Sequence, residues 1–378
     1  MNQLFSDNQL FEQCKLYELR KENISKADFK DSLKNVSYQI TEETFAFNIT
    51  KRINIFLVED LAEKMVLRKL NDNIKRLYKD IQSNRRNIIS QVSVLLLETC
   101  PFWILKTDIK SFYENIDREF LLNKFQNDAM LSYHSLFLLK KLFSQPQFNN
   151  LIGLPRGICI SATLSEIYMR EIDNWLNREP GIYYYARFVD DIIIFAINKD
   201  IIDSVKVKLK NKLNDKKLTI NLQKTSILNG NDIKKEKPLE YLGYKFCVSK
   251  NKKSKRVVIS IADKKIAKFK TRIILSFLDY FKNNDFDLLK NRLVLLSGNF
   301  HLRENDDGVF LNAGIYYSYS QINDYTALSE LNMFYRKIIY SKKGRFGNNI
   351  VNSISEDQKR ILLKYSFKFG FINKVCHL

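Results

Sequence analysis

Two adjacent carboxylates, Asp190 and Asp191, stand between apolar runs: Tyr183-Tyr184-Tyr185 leads in and Ile192-Ile193-Ile194-Phe195 leads out. That pattern reads as a β-hairpin with the two acids at its tip. Like charges beside a hydrophobic core repel each other unless a cation neutralises them. Hard oxygen donors suit Mg²⁺, which accepts one or two carboxylates together with substrate phosphates. A solvated Asp-Asp turn is the commoner use of such a pair, so the metal chemistry depends on a third acid. Asp108 supplies one, near the end of a second strand-like run, Phe102-Trp103-Ile104-Leu105-Lys106-Thr107-Asp108-Ile109-Lys110-Ser111-Phe112-Tyr113. Carboxylates on separate strands can hold two ions about 3.5–4 Å apart, between the attacking and leaving oxygens of an in-line phosphoryl transfer. Asp108 would bridge both ions, with Asp190 opposite.

These acids need a scaffold. Between them lies a loop, Gly153-Leu154-Pro155-Arg156-Gly157, then an amphipathic helix from Ser161, which is a candidate N-cap. Glycines in the loop would let backbone approach a ligand closely. Helical periods also cover residues 56–98, 116–143, 161–178 and 200–217. From Asp263 onward, Ile266, Phe269, Ile273, Ile274, Phe277 and Leu278 recur at helical spacing. The expected class is α+β, an antiparallel sheet carrying the acids with helices behind it and a helical C-terminal part.

The order of these pieces resembles a reverse transcriptase. Asp108 with Phe112-Tyr113 is similar to the family's first acidic motif, and Gly153 to Ser161 to its substrate-binding loop and helix. Phe188-Val189-Asp190-Asp191 resembles its Tyr-x-Asp-Asp hairpin. Leu218-Thr219-Ile220-Asn221-Leu222-Gln223-Lys224-Thr225 is similar to the motif carrying its lysine, and Tyr241-Leu242-Gly243-Tyr244 to its primer grip. The five motifs occur in family order across roughly residues 100–246. Upstream, Leu67-Arg68-Lys69-Leu70-Asn71 and Gln82-Ser83-Asn84-Arg85-Arg86-Asn87 fit its fingers region less specifically. The resemblance implies a right-hand polymerase: an N-terminal and fingers region over 1–99, an antiparallel-sheet palm over 100–248, and a basic hairpin with a helical thumb over 249–378.

Three departures narrow the likeness. Phe188 stands where Tyr is usual, Arg156 where Gln is usual, and Ala162 where Pro is usual. With the short chain, they resemble the bacterial antiviral or abortive-infection reverse transcriptases. Gly298-Asn299-Phe300 and Gly314-Ile315-Tyr316-Tyr317 resemble the thumb of one defence subgroup, the type 3 systems.

The resemblance also implies roles. Asp108 and Asp190, with the Ile109 carbonyl, would bind two Mg²⁺ (or Mn²⁺), and Asp191 would support them electrostatically or as a further ligand. Lys224 would protonate the leaving pyrophosphate as general acid, although lysines are mostly plain surface residues. Arg85 and Arg86 would contact triphosphate or template, or lie on a helix surface. Arg156, Gly157 and Ser161 would border the nucleotide. Tyr113 would block a ribose 2′-hydroxyl, or Phe112 would; alternation along a strand keeps both from facing one way.

Charge agrees with a nucleic-acid partner. The 378 residues carry 62 Lys+Arg against 42 Asp+Glu, a formal net charge of +20, which favours phosphate backbones. Residues 201–270 hold 20 basic and 6 acidic residues. Lys252, Lys253, Lys255 and Arg256 would form a hairpin tip beside the duplex or a bound RNA. Five scattered cysteines without a CxxC spacing read as reduced thiols, and three separated histidines do not suggest a metal cluster. No apolar run is long enough to span a membrane, and the N-terminus does not look like a signal peptide, so a cytoplasmic location is expected. Expected partners are an RNA template, in particular a noncoding RNA, a DNA product and dNTPs. A second reverse transcriptase or accessory protein, and an oligomer, are also expected. Two other readings stay open: a template-independent or protein-primed polymerase making repetitive DNA, and an inactive palm serving as an RNA-binding module.

Overall fold

The computed structural model describes residues 2–53, 55–79, 83–251, 254–304, 310–374 and 376–377. Gln82 of the expected fingers stretch, and Lys252 and Lys253 of the expected basic tip, lie outside the described residues. Helices and mostly antiparallel sheets alternate along the chain. The chain divides into two compact units, 1–84 with 102–227, and 85–101 with 228–378.

The first unit is organised on the strand Trp103–Lys110. In its sheet, four strands run in the order Ile182–Phe188, Asp191–Ala196, Trp103–Lys110, Thr219–Ile220. The strand Asp191–Ala196 is a short continuous apolar run after its first residue, and Ile192 to Ala196 are fully buried, as expected of a strand covered on both faces. The helices Ile160–Arg178 and Lys199–Asp215 pack against this sheet. In the second of these, Ile202, Val205, Leu209 and Leu213 recur at helical spacing and face the core, while Lys208 reaches outward to Glu179 at 2.5 Å. Asn198 caps its start by accepting the Ile201 N–H at 2.9 Å.

The hairpin pairs Phe188 with Asp191, so Val189 and Asp190 form a two-residue turn. Val189 sits at φ 59. A β-branched residue is strained there, and hairpin turns of this length favour Asn or Gly instead. A single guanidinium holds this turn. Arg187, 4% exposed, donates to Asp173 at 2.9 and 2.6 Å, to Glu166 at 2.6 and 3.3 Å, and to the Val189 carbonyl at 3.0 Å. Tyr185 adds a hydroxyl bond to Asp173 at 2.5 Å. Helix, strand and turn are thereby joined through one side chain.

The structure corrects several local expectations. Ser161 is not an N-cap: the helix begins at Ile160 with Cys159 as cap, and the buried Ser161 hydroxyl donates back to the Pro155 carbonyl at 2.7 Å. Phe112 and Tyr113 are not in the strand, which ends at Lys110. Ser111 turns the chain at φ 47, and Phe112–Asn115 is one helical turn. Residues 56–98 begin in the strand Ile55–Val58 before the helices Leu61–Tyr78 and Arg85–Leu95.

The second unit holds a three-stranded antiparallel sheet, Leu239–Tyr241, Tyr244–Asn251 and Ser254–Ile261, followed by the helices Asp263–Asn283 and Phe286–Ser297. Asn299, fully buried, donates to the Gly370 carbonyl at 3.0 Å and accepts the Tyr316 N–H at 2.9 Å. Among the described residues no helix is long and apolar enough to cross a membrane.

Removing the charge of Arg187 while keeping its bulk takes from Glu166 and Asp173 the buried guanidinium that pairs with both acids. Arg187→Met should therefore cost about 3–5 kcal/mol of unfolding free energy in urea titrations. Arg187→Lys, which keeps the charge without the fork, should cost less. A loss below about 1 kcal/mol for the Met variant would show that water already compensates both acids.

Candidate active site

Asp108 and Asp191 are direct partners across neighbouring strands. Side chains opposite each other in this way share a face, with Cβ atoms about 4.5–5.5 Å apart. Asp190 precedes Asp191 in the turn, and its carbonyl accepts the Ile109 N–H at 3.0 Å. Three acids therefore gather at one end of a buried sheet, and Asp108 is only 5% exposed. Burial raises the Asp191 carboxyl to about 6, with Asp190 and Asp108 adding to the rise and Lys224 opposing it. Asp190 is also raised, by burial first and then by Asp108, while Lys224 and Arg156 oppose the shift.

The lysine expected from the sequence is at this site. Lys224 Nζ donates to Asp108 Oδ2 at 2.8 Å, and this bond raises its own pKa. Its side chain remains 55% exposed, so the ammonium has room to turn toward solvent. Sequence reasoning did not single out Asn221. Its amide donates to Asp108 Oδ1 at 3.0 Å and its backbone N–H to the Asp108 carbonyl at 2.7 Å. The adjoining hydroxyls of Thr107 and Thr225 lie 2.7 Å apart. An Asn directly before a tight Leu222–Lys224 turn is the local signal that points to Asn221.

Arg156 is exposed and pairs with Glu114 at 2.6 Å, one residue after Tyr113. The glycines of this loop approach protein backbone. A Cβ on Gly153 would lie 2.1 Å from the Tyr113 carbonyl, and Leu154 donates to that carbonyl at 2.7 Å. Gly157, at φ 95, would place a Cβ 2.4 Å from the Phe56 carbonyl. Phe112 is buried in the core, whereas Tyr113 is half-buried with its ring 5.6 Å from that of Phe112.

The remaining expected residues lie in the second unit. Tyr241, Leu242, Gly243 and Tyr244 form the turn between two strands, with both tyrosines buried. Arg85 binds this turn through its guanidinium, in place of the free surface expected of a triphosphate ligand. Arg86 is exposed. Lys255 donates to the Glu98 carbonyl, and Arg256 is exposed on the strand Ser254–Ile261.

Among the described residues no three His, Cys, Asp or Glu side chains form a preformed metal cage. The donor set nevertheless suits a hard divalent cation. It offers oxygen alone, from three acids of which two are pushed toward neutrality by burial and by their neighbours. Asp108, Asp190 and Asp191 would hold such an ion, with Asp108 released from Lys224.

The raised Asp191 pKa has a stability consequence. Above about 6 the folded state carries a charge that burial and its neighbours disfavour, and below the ordinary value of 3.8 the penalty disappears. With chelator present, Asp191→Asn should stabilise the protein by about 1–3 kcal/mol at pH 8. The gain should shrink as pH falls through 6 toward 4. Equal stability of variant and wild type at pH 8 would mean the charge is already relieved.

Residues 61–246 match the family model described as Reverse transcriptase (RNA-dependent DNA polymerase). A comparison with curated proteins finds no match. Among solved structures, an apo telomerase from Candida tropicalis, truncated from its C-terminal domain, is similar at TM-score 0.38 and 15% identity. The similarity covers 62% of this chain and 49% of that one, so this chain spans about half the telomerase chain's length. The family match encloses the whole acidic site and ends just beyond the Tyr241–Tyr244 turn. Over residues 61–246, which hold the acidic site, this chain is thus similar to the reverse transcriptase family.

Proposed function

We propose that the protein is an RNA-directed DNA polymerase acting by two-metal nucleotidyl transfer on a noncoding RNA template in bacterial antiviral defence. One observation carries the catalytic part: Asp108 faces Asp191 across adjacent strands, with Asp190 in the turn and Lys224 on the Asp108 carboxylate. The defence role rests on the sequence resemblance, including Phe188, Arg156 and Ala162 in their unusual places. On this reading, residues 1–99 contain the fingers, 100–248 the palm and 249–378 the thumb.

Asp108, Asp190 and Asp191 would hold Mg²⁺, which would supply activation of a primer 3′-hydroxyl and neutralisation of charge on the departing pyrophosphate. Lys224, kept protonated by Asp108 until substrate binds, swings away to donate its proton to the pyrophosphate oxygen. Asn221 stays on Asp108 and preserves the carboxylate's orientation when Lys224 leaves. Arg156 lends positive charge close enough to oppose the rise at Asp190. Tyr113, the less buried ring of its pair, closes on the ribose 2′ position, while Phe112 fixes the turn in the core. Tyr241 to Tyr244 hold the primer end.

Primer extension on an RNA template tests this reading. Asp190→Asn should lower incorporation on the order of 10³-fold, about 4 kcal/mol of barrier, with unchanged melting and RNA binding. Incorporation within about threefold of wild type would remove Asp190 from the metal site.

Tyr113→Ala should admit ribonucleotides. The preference for dNTP over rNTP in kcat/KM should fall about tenfold while dNTP addition persists. An unchanged ratio would take the sugar gate away from this helical turn.

A further inference from the structure

Leu242 and Gly243 are the two central residues of a hairpin turn, at φ 48 and φ 82. Positive φ at both positions is what the tight two-residue turn requires, and Asn-Gly or Gly-Gly satisfies it without steric cost. Leucine does not, because its Cβ crowds the backbone in the left-handed region. Such a conformation persists where surrounding contacts over-determine it, and it marks sites at which backbone placement matters.

Arg85 provides those contacts. Its Nε and Nη2 both donate to the Leu242 carbonyl, at 3.2 and 2.6 Å, and Nη1 donates to the Ser318 carbonyl at 2.7 Å. The guanidinium lies over the Tyr244 ring at 4.9 Å and near the Tyr319 ring at 5.9 Å, and these two rings pack edge-on at 5.8 Å. From the other side, the Ala262 N–H donates to the Gly243 carbonyl at 3.0 Å. A planar fork that bonds one carbonyl twice while stacked on a ring cannot be reproduced by a lysine. All three guanidinium nitrogens are engaged with backbone, which leaves this side chain poorly placed to hold a triphosphate.

We infer that Arg85 is a positioning residue that locks the strained Leu242-Gly243 turn and thereby sets where the nucleic-acid strand end is held, a role that rests on the polymerase reading above. It acts through the turn and touches no substrate.

Two readouts test the inference. Hydrogen exchange over residues 239–246 reports the turn itself. Arg85→Gln and Arg85→Lys should each speed exchange there about tenfold, with distant segments unchanged. In primer extension, both variants should lower kcat about tenfold or more while KM for dNTP stays within about twofold. Leu242→Gly, which permits positive φ without strain, should restore slow exchange and at least about a third of the lost rate when added to Arg85→Gln. A direct triphosphate ligand would behave differently. KM for dNTP would rise, Arg85→Lys would retain most activity, exchange would be unaltered, and Leu242→Gly would rescue nothing; that pattern overturns the inference. A wild-type chain that adds no nucleotide would sink the polymerase reading instead, and exchange over 239–246 would still decide whether Arg85 holds the turn.

Discussion

Electrostatic repulsion among Asp108, Asp190 and Asp191 is the constraint around which the first unit is arranged. A sheet whose strand Asp191–Ala196 is fully buried after its first residue is an unfavourable neighbour for carboxylates, and burial raises two of the three acids. The charge is offset locally by the Lys224 ammonium and the Asn221 amide on Asp108. Groups that a fold would be more stable without are characteristic of sites kept for chemistry. The same repulsion creates affinity for divalent cations, because a bound ion relieves all three acids together.

Geometry at the acids depends on a second device. The Val189-Asp190 turn is strained, and the turn Leu242-Gly243 in the other unit is strained in the same sense, with a bulky residue at positive φ. Each is held by an arginine that donates to the carbonyl of that residue, Arg187 to Val189 and Arg85 to Leu242. The two clamps differ in their own support. Arg187 is buried and balanced by Glu166 and Asp173. Arg85 is half-exposed and stacked over tyrosine. A hairpin with Asn-Gly would form unaided but would leave its turn free to adjust. A strained turn fixed by a guanidinium fork is tied to the rest of the unit and cannot shift alone.

The glycines of the 153–157 loop are conformationally demanding because of the protein backbone they approach. Gly153 lets the loop press against the Tyr113 carbonyl and Gly157 lets it pass the Phe56 carbonyl. The loop is thereby fixed relative to the turn that carries Tyr113 and relative to the strand Ile55–Val58. Arg156 projects between these anchors and pairs with Glu114. The resulting local arrangement holds one cation near the acids without placing it on them.

Local pattern alone determined a good part of this protein. Apolar runs flanking Asp190 and Asp191 predicted the hairpin, the periodicity from Asp263 predicted the helix Asp263–Asn283, and five short motifs in order carried the resemblance to the reverse transcriptase family, whose model residues 61–246 match. The hairpin and the helix are legible because each is written in neighbouring residues, through alternation, helical spacing or turn composition, whereas the family likeness rests on the motifs' resemblance alone. Tertiary structure decided the rest. Lys224 meets Asp108 across 116 positions, and Arg85 meets Leu242 across 157. No local period encodes such pairings, so a sequence reading could offer Arg85 a phosphate but not the carbonyl it binds. Phe112 and Tyr113 continued an apolar run that looked like strand, yet Ser111 turned left-handed and put them on a helical turn. Packing around Phe112 outweighed the weak β preference of its own stretch, since strand propensity reflects the surface a residue lands on more than the residue itself.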